Sequence, residues 1–80
     1  MNTISQLKQT NLRDQALAVL KLRLISGDIK PGVIYSAAAL ATELGVSNSP
    51  VREAMLTLVN HGLMEAVRNR GFRVVPLSDR

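Results

Sequence analysis

The sequence predicts a mainly α-helical domain with a small β-hairpin, a winged helix-turn-helix of three helices plus a wing, on three observations. Two short helical segments meet at the tight turn Gly45-Val46-Ser47. The second of them has the strongest helical periodicity in the chain, with Val51, Ala54, Met55, Leu58 and Val59 at i, i+3, i+4, i+7 and i+8. Two β-prone runs then flank the basic tip Arg68-Asn69-Arg70-Gly71.

The first helix is expected from about Leu12 to Ser26. Asn11 offers an N-cap, and Asp14 a variant of the capping box that also complements the helix dipole. Leu17, Leu20 and Leu24 recur at helical spacing, Ala16 and Ile25 broaden the stripe, and Leu22 falls off it. Gly27 stops the helix and Lys30-Pro31-Gly32 forbids its continuation. Residues 1–11 are polar without periodicity and read as a flexible N-terminal arm.

Val33-Ile34-Tyr35 is a short stretch suited to an edge strand. Ser36 then caps a second helix, Ala37 to Leu44, which Gly45 ends in the left-handed conformation. Ser47 caps the third helix, Asn48 to Asn60, whose first turn tolerates Pro50. Gly62 suits the position just past that helix, and Leu63 can fold back toward Leu58. Leu63–Val67 and Phe72–Pro76 complete the pattern as strands. Ala41, four residues before Gly45, is small where the two helices of a helix-turn-helix approach each other.

Composition narrows the function. Eighty residues, 46% hydrophobic and 20% charged, make one small globular domain. The absence of cysteine excludes disulfides, thiolate metal sites and thiol catalysis. A single histidine and no facing pair of acids leave nothing for an enzyme or a metal centre. His61, near the end of the third helix, complements the dipole there. The five glycines are punctuation and form no phosphate loop. No cofactor is implied. No apolar run approaches the ~20 residues of a membrane span and no signal peptide is evident, so a cytoplasmic protein is expected.

The net charge of +4 is by itself as compatible with plain solubility as with an anionic partner. Its distribution says more, since Arg68, Arg70 and Arg73 cluster around the hairpin tip. With the apolar stripe of the third helix turned inward, Ser47, Asn48, Ser49 and Arg52 are left outward near its N-terminal end. Free backbone N–H groups and the positive end of the dipole lie there too. Hydroxyls, an amide and a guanidinium are the groups that read base edges or grip phosphates. Ser47 can serve as a mere cap, and an isolated helix arginine is most often only solvated. It is the joint placement that points to double-stranded DNA, with the third helix in the major groove. The basic tip of Arg68, Asn69, Arg70 and Gly71 would then lie on the backbone or minor groove. The competing reading is a winged-helix module that binds protein, supported only by Leu56, off the main stripe.

At this point the chain resembles the GntR family of bacterial transcriptional regulators. The linker Ile25-Ser26-Gly27-Asp28-Ile29-Lys30-Pro31-Gly32 is similar to that family's, as are Leu44-Gly45-Val46-Ser47 and Pro50-Val51-Arg52-Glu53-Ala54-Met55. Asn69-Arg70-Gly71-Phe72-Arg73-Val74 is similar to its wing. The run Pro50-Val51-Arg52-Glu53-Ala54 and the ending Arg70-Gly71-Phe72-Arg73-Val74-Val75-Pro76-Leu77-Ser78 look most like the FCD, or FadR-like, subfamily.

The resemblance implies a DNA-binding domain over 12–78 of a repressor that reads a palindromic operator. It also implies a homodimer in the full-length protein or on DNA. A small-molecule effector would act only through a C-terminal domain absent from this chain. Ser47, Asn48, Ser49 and Arg52, with Asn69, Arg70 and Gly71, are then the contact residues. Two positions depart from the pattern: Asn48 stands where many members carry Arg, and Ala38 where some do. Isolated, the chain is expected to be a monomer that pairs on such a site, because its helical stripes are consumed by one core.

Overall fold

The computed structural model describes residues 2–76, with side chains from Leu12 onward. Its elements are α1 (Asn2–Ser26), β1 (Ile34–Tyr35), α2 (Ala37–Leu44), α3 (Asn48–Asn60), β2 (Met64–Val67) and β3 (Gly71–Val74). Residues 77 and 78 of the expected domain, and residue 1 of the expected arm, lie outside the described residues.

α1 is ten residues longer at its start than the sequence signals suggest. Backbone Asn2–Asn11, expected as an arm, continues the helix, so Asn11 lies inside it and is no cap. The reason is local: no Gly or Pro interrupts 2–26, and Gln6, Leu7, Lys8 and Gln9 are good helix formers. A polar helix segment carries no apolar stripe by which to recognise it.

α1 packs on α3, burying Ala16 and Leu20 against Val51, Ala54, Met55 and Leu58, while α2 adds Leu40 and Ala41. Ile25 leaves the stripe expected of it and is 84% exposed. The place beyond Leu20 is filled instead by Ile29, buried at 3% after the chain has turned at Gly27. Met64, Phe72 and Val74 close the core from the sheet. That sheet is antiparallel in the order β1-β3-β2, with Tyr35 opposite Phe72 and Ala66 opposite Phe72 on the other side. Its strands are shorter than expected: Leu63 precedes β2, and β3 begins at Gly71 and ends at Val74.

Both helix ends of the helix-turn-helix close by the same pair of backbone hydrogen bonds. Val46 N–H donates to Ala41 O at 3.0 Å and Gly45 N–H to Thr42 O at 3.2 Å. At the end of α3, Leu63 N–H donates to Leu58 O at 2.9 Å and Gly62 N–H to Val59 O at 3.0 Å. This pair of bonds satisfies carbonyls the helix leaves open, and it needs a left-handed residue, supplied at the turn by Gly45 (φ 76°). The turn therefore fixes the angle at which α3 leaves α2. Ala41, 2% exposed, is small at the crossing, as the spacing predicts.

Candidate nucleic-acid interface

α3 is positioned from both ends and along one side, which leaves its outer face free. Ser47, Asn48, Ser49, Arg52 and Glu53 are all exposed on it. Ser47 has the extended backbone of a capping residue (φ −76°, ψ 166°), yet its side chain makes no bond to the helix. Ser36 does cap: its Oγ accepts from Ala39 N–H at 3.0 Å. The two serines thus part company. Among the described residues the Ser47 hydroxyl has no hydrogen-bond partner, and it stands beside the open N–H groups of the first turn of α3, from which Pro50 withdraws its own.

The wing tip is held as tightly. Arg70 N–H donates to Val67 O at 3.0 Å, and Asn69 takes a left-handed φ of 61°, which Asn tolerates better than most residues. Arg68, Asn69 and Arg70 are all exposed. Gly71 has an intramolecular reason to be glycine: at φ 141°, a Cβ there would stand 2.4 Å from the Tyr35 carbonyl oxygen. Its missing side chain lets β3 lie against β1, so it sets where the tip stands.

One groove of about 570 Å³ brings most of the expected residues together. Asn48 and Arg52 form one wall, and Arg68, Asn69 and Arg70, with Gly71 at their base, form the other. Ser47 and Ser49, exposed at the start of α3, do not line it. The groove also takes in Ser36, Ala37 and Ala38 at the start of α2, together with Leu56, Ala66 and Phe72. The sequence does not mark these as groove residues: apart from Ser36, which is occupied as a cap, none carries a polar side chain. Leu56, 41% exposed, lines this groove.

The charges sort themselves. Arg23 pairs with Glu43 at 2.9 Å, Arg13 with Glu53 at 3.7 Å, and Arg73 donates from Nε to Glu65 at 2.6 Å. Arg73, grouped by sequence with the tip arginines, is thereby spent on a cross-strand pair between residues in register. Among the described residues, Arg52, Arg68 and Arg70 form no such pair, and these are the arginines of the groove, joined at its edge by Asn48. A concave surface carrying unneutralised guanidinium groups between low-dielectric walls favours a polyanion.

Comparison with known proteins agrees with this geometry. Residues 12–74 match the profile of "Bacterial regulatory proteins, gntR family". The chain is 41% identical over 59 residues to the uncharacterized HTH-type transcriptional regulator YdhC of Bacillus subtilis, covering 74% of this chain and 26% of that protein. It is 38% identical over 61 residues to the gluconate operon transcriptional repressor of the same organism, covering 76% and 25%. Over 75 residues it is 35% identical to the HTH-type transcriptional regulator McbR of Escherichia coli, covering 94% and 34%. It therefore spans between a quarter and a third of the length of these relatives. With a profile match across every element from α1 to β3, and a fold of three helices and a wing, the chain belongs to the gntR family of bacterial regulatory proteins.

Proposed function

We propose that the chain is the sequence-specific, double-stranded-DNA-binding part of a transcriptional repressor. The start of α3 enters the major groove and the wing tip grips the flanking backbone or minor groove. The observation that carries this reading is the convergence of Arg52, Arg68 and Arg70, none paired with an acid among the described residues, on one groove beside Asn48. Ser47 and Ser49 supply hydroxyls to phosphate at the start of α3, and Asn69 adds an amide at the tip. Repression is read from the gluconate operon repressor among its relatives. The operator is palindromic and two copies occupy it, as the geometry of helix-turn-helix recognition requires of a twofold site. Membership of the FCD subfamily rests on the run Pro50–Ala54 and the ending Arg70–Ser78, and effector control belongs to polypeptide outside this domain.

In vitro selection from a random duplex library tests the reading. Enrichment of an inverted repeat supports it. Recovery of a pool no different from the input, with no electrophoretic shift at low salt, overturns it. The protein-binding alternative predicts an apolar outer face on α3 and no arginines at the wing, against the exposed Arg52, Arg68 and Arg70.

A further inference from the structure

Each of the three glutamates in the chain is held by an arginine from another element: Glu43 of α2 by Arg23, Glu53 of α3 by Arg13, and Glu65 of β2 by Arg73. The middle pair is the instructive one. Glu53 follows Ser49 by one helical turn, so it shares the exposed face of α3 with that candidate DNA contact, just outside the groove that Arg52 lines. A bare carboxylate there would repel a polyanion brought against that face of α3. Arg13 reaches it across the α1–α3 interface at 3.7 Å, with both side chains about half exposed (43% and 55%).

We infer that Arg13 is a determinant of DNA affinity that acts through Glu53: it neutralises the one acid on the recognition face of α3 and so lets that face approach a polyanion. The inference rests on the placement of α3 against DNA proposed above. Arg13 is a positioning residue in this account, not a contact. Its contribution to folding is small, because an exposed ion pair adds little to stability. Its contribution to binding is larger, because removal leaves a negative charge facing phosphate, and unfavourable charge at an interface chiefly slows association and alters salt dependence. The Arg23–Glu43 pair is a natural control, since neither residue lies on α3.

The test is a double-substitution cycle read as the dissociation constant for fluorescein-labelled duplex DNA at several salt concentrations, with thermal melts alongside. Arg13→Ala is expected to weaken binding roughly three- to tenfold at low salt, with the deficit shrinking as salt is raised. Glu53→Gln binds at least as tightly as the parent. The double variant Arg13→Ala/Glu53→Gln returns to within about twofold of the parent, and Arg13→Lys retains most of the affinity. A double variant as weak as Arg13→Ala alone overturns the inference, because Arg13 then touches DNA itself. So does an Arg13→Ala that binds normally. Arg52→Ala, measured in parallel, tells the two levels apart. If it weakens binding while Arg13→Ala does not, only the role of Arg13 fails. If neither weakens binding, the placement of α3 fails with it.

Discussion

Asn48 and Arg70 line the same groove and, in the placement proposed above, would offer DNA different chemistry. The Asn48 amide presents an acceptor and a donor pair that match adenine N7 and N6 in the major groove, so it can read a base. Arg70, at a wing tip, offers charge to phosphate or to a narrow minor groove, which grips without reading. Asn48→Ala is therefore expected to relax base preference at one position of each half-site, measured with single-substituted operators. Arg52→Ala should cost about 1–3 kcal/mol of binding with an unchanged melting temperature, since its side chain lies outside the core. Serine offers a sharper contrast. Ser36→Ala removes a formed cap bond and should lower stability by about 1 kcal/mol. Ser47→Ala removes no such bond and should leave the melting temperature alone while weakening DNA binding. Equal thermal losses for the two serines would return Ser47 to the role of an ordinary cap.

At the scale of elements, the wing depends on a contact that sequence does not display. Gly71→Ala places a Cβ 2.4 Å from a backbone oxygen, at a φ that L side chains rarely adopt. Backbone must move to relieve it, so a loss of about 2–4 kcal/mol is expected, within the range of strain and overpacking effects, with a weaker wing as its consequence. A differential scan of melting temperature checks this, and a change under a degree would mean that β1 yields freely. The sequence does announce that a glycine is needed near the tip, but not that Tyr35 is the reason. The helix-turn-helix was legible for the opposite cause: Ser36, Gly45, Pro50 and the stripe from Val51 to Val59 are local signals, each acting within a turn of itself. Where the determinant is non-local or silent, reading fails. The extension of α1 through Asn2–Asn11 has propensity without periodicity. The exchange of Ile25 for Ile29 in the core depends on where the chain goes after Gly27. The capture of Arg73 by Glu65 needs the strand register, and it sets that arginine apart from the two at the tip.

For the whole molecule, the net charge of +4 matters less than which charges are already answered. Three arginines are paired within the fold and three line the groove without such partners among the described residues. Among the arginines with described side chains, the second set is the one expected to release counterions from DNA, and each phosphate neutralised adds about −0.9 to the slope of log K against log salt. One domain on nonspecific duplex should therefore show a slope near −3. Two domains on an inverted repeat should show about twice that, with the second binding aided by its neighbour if the chain is a monomer in solution. Arg70→Ala should flatten the slope by about one per domain and weaken binding to all sequences alike. The double variant Glu65→Gln/Arg73→Gln, which deletes a pair already neutral, should leave the slope unchanged. Binding isotherms over a range of salt concentrations measure all of these together. A slope that ignores Arg70 but responds to the loss of the Glu65–Arg73 pair would mean that the side of the sheet, and not its tip, faces the phosphates.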